Sequence, residues 1–254
     1  MAYKISSPNS SYLPSINQST RSHEQKGKLG VTVVIPTLNE QENIAGVIRE
    51  LKDMGYSDIL IIDGNSKDMT AAIAKQLGVN VMFQNGHGKG NALRQVFSNS
   101  LTTGEVLVMM DADGSMSPAE LRSFVRALKP DVDVVKGSRF MAGGYSEDMT
   151  LARRIGNLLF VKVTNLLVHA KYTDLCYGFA AFRGSAIEKL YPDLKSSDFE
   201  IEAEIFIKSK RLGLKVVEVP SIESRRKSGK SNLKAIRDGF LILKTIFRES
   251  LIPN

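Results

Sequence analysis

The sequence is poor in the residues that staple or anchor a chain. Among 254 residues it has one cysteine, Cys176, and no tryptophan. A lone thiol cannot close an intramolecular disulfide, which excludes a disulfide scaffold and predicts a reducing, cytoplasmic setting. No run of about 18 uninterrupted apolar residues occurs, so no membrane-spanning helix is expected. The richest stretches, 155–170 and 240–252, are both broken by polar or charged residues. Residues 1–29 are rich in Ser, Asn, Gln and Pro and lack the apolar core of a signal peptide; they read as a flexible tail. Internal repeats are absent, and so are the P-loop spacing and the dinucleotide fingerprint.

What is present is ordinary globular material, 43% hydrophobic and 24% charged, in a length that suits one α/β domain. The net charge is +7. Its location says more than its size. Residues 208–234 hold nine Lys or Arg and two Glu, and so carry the whole surplus. Basicity alone leaves nucleic acid, anionic lipid and phosphorylated small molecules open.

From Val31 a regular alternation begins. Short apolar runs at 31–35, 58–62, 79–83, 105–110 and 133–136 read as buried strands. Between them, helical spacing is predicted over 40–54 with Asn39 as its cap, over 70–77, over 89–100, and over 118–128 with Ser117 as cap. Such alternation argues for a mostly parallel sheet with helices on both faces. Ligands bind beyond the carboxyl ends of such strands. The polar clusters 37–40, 63–68, 86–91 and 111–115 all fall there.

Asp111 and Asp113 are the sharpest feature. Two carboxylates one residue apart after a buried strand can address one hard divalent cation. Aspartates in turns are also common, and Asp113 precedes Gly114. The loop 63–68 is either a turn with a helix cap or a carboxylate reader of base and ribose. The glycine-rich segment 86–90, with Lys89, is either a plain turn or a place where backbone N–H groups approach phosphate.

Together these motifs resemble the family 2 glycosyltransferases of the GT-A fold, most closely the dolichyl-phosphate mannosyltransferase and polyprenyl-phosphate glycosyltransferase branch. The likeness rests on Pro36-Thr-Leu-Asn-Glu40, Asp63-Gly-Asn-Ser-Lys-Asp68, Gly88-Lys-Gly-Asn-Ala-Leu-Arg94 and Asp111-Ala-Asp-Gly114, in that order. Further matches are Gly137-Ser-Arg139, Arg154-Ile-Gly-Asn157, Thr173-Asp-Leu-Cys-Tyr-Gly-Phe179, Phe199-Glu-Ile-Glu202 and the basic segment 225–231. The resemblance implies a GT-A catalytic domain over 30–232 and an inverting, metal-dependent transfer of a hexose from a UDP- or GDP-sugar. Pro36, Thr37, Glu40, Asp63, Gly64, Lys89, Asp111 and Ala112 would hold the nucleotide. Asp111 and Asp113 would hold Mg²⁺ or Mn²⁺. Arg139, Arg225, Arg226, Ser228 and Lys230 would neutralise donor or acceptor phosphate. Asp174, Glu200 and Glu202 would face the transferred sugar and the acceptor. The acceptor stays open between a lipid phosphate and a soluble small molecule. With no Trp, the motif expected of a processive polysaccharide synthase is missing.

Rival readings are a nucleotidyltransferase, which also uses paired aspartates, and a nucleic-acid-binding module. The first lacks a glycine-rich basic signature at the first strand end. The second leaves the ordered acidic loops unexplained and lacks aromatics in the basic segment, so no nucleic-acid partner is expected. Cys176 reads as a small buried residue, and His169 as a packing residue. Residues 233–254 are expected to form an amphipathic basic helix with apolar positions 236, 240, 243, 247 and 251. It can cover the catalytic domain, form a homodimer or lie peripherally on an anionic membrane; packing on its own domain or a sister subunit is the simplest reading.

Overall fold

The computed structural model describes residues 30–98, 106–229 and 233–251. The tail over 1–29, Lys230 and the last three residues of the expected terminal helix lie outside that set. Strands β1 (Val31–Thr37), β2 (Ile59–Asp63), β3 (Asn80–Phe83), β4 (Val106–Met109) and β5 (Val134–Ser138) form where the apolar runs predicted them. Between them lie α1 (Ile44–Asp53), α2 (Thr70–Gln76), α3 (Lys89–Ser98) and α4 (Leu121–Ala127), the last preceded by one 3₁₀ turn. The chain continues through β6 (Tyr145–Ser146), α5 (Leu151–Val168), β7 (Ala180–Arg183), α6 (Gly184–Leu190), α7 (Ile201–Arg211), β8 (Val216–Pro220), β9 (Ile222–Glu223) and α8 (Ala235–Leu251).

The main sheet has seven strands in the order β3-β2-β1-β4-β7-β5-β8. All neighbours are parallel except at β7, which runs antiparallel to both β4 and β5. The long excursion through α5 causes this: the chain re-enters the sheet from the carboxyl edge. Residues 173–178, just before β7, therefore join the loops that leave β1, β2, β4 and β5. β6 and β9 pair in a small ribbon beside that edge.

Alternation along the strands divides the core. Val33 and Ile35 face α1, α2 and α4, whereas Val34 faces α3, α6 and α7. Phe182 sits at the centre of the second layer, fully buried, with its ring 5.9 Å from Phe97 in an edge contact.

Asn39 does not cap a helix. Its φ is 57°, a left-handed conformation that Asn tolerates, and α1 begins only at Ile44. Its backbone N–H donates to Ser66 Oγ at 2.9 Å and its Oδ1 accepts from Lys67 N at 2.8 Å. It ties the loop after β1 to the loop after β2. Ser117 does cap as expected, its Oγ accepting from Ala119 N.

Truncating the central ring should show how far stability rests on this layer. Phe182→Ala is expected to lose about 3–5 kcal/mol in urea unfolding, through lost transfer energy and a cavity. Phe83→Ala, at a 47% exposed site, should change the midpoint little.

Candidate active site

A cavity of about 690 Å³ opens at the carboxyl edge of the sheet. Its first wall comes from the ends of β1 and β2, with Pro36, Thr37, Glu40 and Gly64. The centre holds Lys89, Asp111, Ala112, Asp113, Glu202 and Arg226. The far wall is contributed by α5 and α8, with Gly156, Phe160, Ile236 and Ile242. The first two groups were legible in the sequence. The far wall was not, and neither were Asn65 and Gln84 on the near one.

Two cations organise the centre. Lys89 Nζ lies 2.6 Å from Asp111 Oδ1 and 2.7 Å from Glu202 Oε1. Burial opposes its charge, but the two carboxylates outweigh burial and raise its pKa. Burial also raises the Glu202 carboxyl; Lys89 opposes that rise and Asp111 adds to it. Arg226 bridges Glu40 Oε1 at 2.8 Å and Asp113 Oδ2 at 3.0 Å. Its loop runs along the Asp113 turn, with Ser224 N donating to Ser115 O and Lys227 N to Asp113 O. Asn43 holds the same loop by donating to Ser228 O.

Two glycines of segment 86–90 are required by packing. A Cβ on Gly88 would stand 2.2 Å from Ser197 O, and one on Gly90 2.5 Å from Ser196 O. They let the backbone of residues 196–198 cross the start of α3, where Asn91 N donates to Ser197 O. Gly178 is tight for a different reason. A Cβ there would meet both Glu202 Oε1 and Lys89 Nζ at 2.7 Å, so its absence makes room for that ion pair.

Several expected site residues are turned away from the cavity. Asp63 is fully buried; its oxygens accept from Thr37 Oγ1, Ser66 N and Ser66 Oγ, so it shapes two loops and presents no free face to a nucleotide. Glu200 does not line the cavity: its Oε1 accepts from Ser197 N and Asp198 N, capping the turn before α7. Arg225 and Ser228 lie outside the lining, and Lys230 lies outside the described residues.

Asp174 and Arg139 depart furthest from expectation. Arg139 borders the cavity, yet its five guanidinium N–H groups are all engaged. Nε and one terminal nitrogen grip Asp174 at 2.7 and 3.0 Å, the other spans both Glu223 oxygens at 3.1 Å, and the last N–H reaches Cys176 O at 2.7 Å. The guanidinium also stacks 4.6 Å from the Tyr177 ring centre. No N–H remains for a phosphate. Asp174 is 0% exposed and meets no cavity surface. Burial would raise its carboxyl, but Arg139 prevails and lowers it. Asn157 completes this corner, its Oδ1 accepting from Leu175 N and Cys176 N at 3.1 Å.

The basic segment 208–234 is likewise dispersed. Lys208 pairs with Glu249 at 2.7 Å and Lys215 with Asp131, on other parts of the molecule. Of its described members, only Arg226 brings a basic side chain into the cavity lining. The Cys176 thiol is pushed far up by burial, which fits an inert residue.

Asp111 and Asp113 suit a divalent cation in one specific sense. Among the described residues no group of three or more His, Cys, Asp or Glu forms a metal cage. Two carboxylates on a cavity wall fit Mg²⁺ or Mn²⁺ whose other positions are filled by phosphate oxygens and water.

Comparison with known proteins adds four findings. The model of glycosyl transferase family 2 matches residues 32–191. The chain is 32% identical over 225 residues to glycosyltransferase AglJ of Haloferax volcanii, covering 88% of this chain and 73% of that one. It is 29% identical to the undecaprenyl-phosphate mannosyltransferase of Micrococcus luteus, covering 80% and 87%. Among solved structures, glucosyl-3-phosphoglycerate synthase of Mycobacterium tuberculosis, crystallised with Mn²⁺, UDP and glucosyl-3-phosphoglycerate, superposes with a TM-score of 0.70 at 20% identity, covering 89% and 81%.

Asp174→Ala is expected to cost about 3–5 kcal/mol, because it strands a buried guanidinium. The Asp174 contribution should be complete above the ordinary carboxylate pKa and be lost as pH falls through its lowered value. Urea unfolding at pH 7 and pH 3 reads both effects. A variant with a wild-type midpoint and no turnover would return Asp174 to a direct catalytic role.

Proposed function

The chain belongs to glycosyl transferase family 2, and we propose that it moves a hexose from a nucleotide-diphosphate sugar to a polyprenyl phosphate. One observation carries this reading: a single cavity joins the paired acids Asp111 and Asp113 to a mostly apolar far wall on α5 and α8, where Gly156, Phe160, Gly239 and Ile242 are interrupted by Arg153, Asn157 and Asp238. The near wall, at Pro36, Thr37 and Gly64, suits a nucleoside. The far wall suits the first isoprene units of a lipid. The likeness to the undecaprenyl-phosphate mannosyltransferase of Micrococcus luteus supports the same acceptor class.

The chemistry follows from where charge develops. Breaking the sugar–phosphate bond leaves negative charge on the departing nucleoside diphosphate. A divalent cation held by Asp111 and Asp113 would supply Lewis-acid neutralisation of that charge. Arg226 is placed to follow it. Once Asp113 has another positive partner, the guanidinium can leave that carboxylate for a phosphate oxygen. Lys89, with its pKa raised by Asp111 and Glu202, is placed to act as a positive charge beside the diphosphate rather than as an acid. The acceptor phosphate oxygen attacks the anomeric carbon from the face opposite the leaving group, which inverts that centre. Such a phosphate is already anionic and needs no general base.

A hydroxyl acceptor is the second reading, and Glu202 is the observation that favours it. Its carboxyl lines the cavity beside Asp111, and burial raises its pKa, the direction that favours a proton acceptor.

Two measurements follow. Asp113→Asn should lower Mn²⁺- or Mg²⁺-dependent turnover of UDP- or GDP-hexose about 100-fold or more and abolish the metal-dependent thermal shift with the donor. Undiminished turnover would sink the metal assignment. Glu202→Gln separates the acceptors: with undecaprenyl phosphate, kcat should fall less than about tenfold, whereas a hydroxyl acceptor should lose roughly 100-fold or more.

A further inference from the structure

The terminal helix is built inside out. The apolar stripe visible in its sequence faces solvent, and a largely polar stripe faces the protein. Asp238, Thr245 and Glu249 are buried with Ile242 and Ile246. Phe240 and Leu251 are 69% and 66% exposed, and Ile236, 91% exposed, stands where the apolar stripe meets the cavity lining. The helix does pack on its own domain, as the simplest sequence reading expected, but through the opposite face. Glu249 is held there by Lys208 at 2.7 Å, and Asp238 accepts from Lys234 N at 2.6 Å.

The neighbouring helix α5 does the same. Leu151, Ile155 and Leu166 are 73%, 59% and 76% exposed. The two helices touch, with the Phe160 ring 3.7 Å from where a Cβ on Gly239 would lie. Of the 16 exposed large hydrophobic residues among those described, nine lie on this pair. Scattered apolar residues need no explanation, but a contiguous field on two adjoining helices marks a contact surface.

Charge selects what covers it. Helix α5 contains no acidic residue, and the two acids of α8 are both buried. The charges left on the outer faces are basic, with Lys162, Arg237 and Lys244 all exposed. A second copy related by a twofold axis would set this basic fringe against itself. An anionic lipid surface complements it, taking the apolar stripe between headgroups and the ammonium groups at phosphate level. The inner sides of the same helices form the far wall of the cavity.

We propose that the outer faces of α5 and α8 form a docking surface for an anionic lipid bilayer, which sets the mouth of the cavity against the membrane. No described helix is long and apolar enough to cross a bilayer, so this attachment is peripheral among the described residues. The proposal deepens the lipid-acceptor reading, but it is tested without any acceptor, so either can fail alone.

The full chain is floated with vesicles of phosphatidylcholine alone, and with vesicles in which roughly one-third is phosphatidylglycerol, all free of polyprenyl phosphate. Binding is expected to the anionic vesicles, at least about tenfold tighter than to neutral ones, and to weaken with salt. Ile155→Glu/Phe240→Glu should lower binding more than about tenfold at an unchanged melting temperature, since both positions are exposed. Lys162→Glu/Lys244→Glu should weaken binding to the anionic vesicles alone. Absence of binding to anionic vesicles overturns the proposal, as does undiminished binding by Ile155→Glu/Phe240→Glu. A wild-type dimer in sedimentation that ignores vesicles and dissociates in that double variant assigns the surface to a second copy instead.

Discussion

The Arg139 guanidinium is the interaction on which the carboxyl edge depends. It holds Asp174, Glu223 and the Cys176 carbonyl at once. Asp174 and the Cys176 carbonyl both belong to the approach to β7, and Glu223 belongs to β9, so one side chain just after β5 ties two separate segments together. A buried arginine with every N–H paired fixes all three, because releasing any one would leave a charge or a carbonyl unsatisfied in a dry environment. Lys136 reinforces the arrangement from beneath. It is fully buried, pairs with Glu218 at 3.0 Å and donates to Asp174 O. Glu218 in turn accepts from Thr173 N and Thr173 Oγ1. The segment that carries Gly178 into the cavity is thereby held rigid, and Gly178 leaves the space in which Lys89 and Glu202 meet.

Above this platform the cavity is a set of internal counterions. Lys89 spans Asp111 and Glu202, and Arg226 spans Glu40 and Asp113. Each cation satisfies two carboxylates that would otherwise repel one another across a small space. The two are not alike. Lys89 is enclosed between its two carboxylates, whereas Arg226 is carried on a loop of the exposed rim. The site therefore has one enclosed positive charge and one that can be exchanged, as suits a site that must accept and then release a diphosphate.

The face formed by α5 and α8 joins packing to function by a different route. Helices ordinarily hide an apolar stripe and show a polar one. Here the buried stripe of α8 is held by the Lys208–Glu249 ion pair together with Ile242 and Ile246, so the domain does not draw on the apolar stripe for its own core. That frees the stripe for an external surface, on the same helices whose inner sides line the cavity.

Much of this was legible in the sequence. The strand order along the chain, the two-sided core and the gathering of Glu40, Lys89, Asp111 and Asp113 at one edge follow from hydrophobic period and the position of polar loops, which are local properties, whereas Glu202 was indicated only by the family resemblance. Three things were decided only in three dimensions. The reversal of β7 depends on where a long excursion re-enters the sheet. Asp63 and Asp174 look like ligands in sequence, since a carboxylate in a strand-end loop reads the same whether it faces solvent or a buried partner. And an amphipathic pattern states that a helix has two faces without stating which one the protein keeps; that choice fell to long-range contacts such as the pair between Lys208 of α7 and Glu249, which no local pattern records.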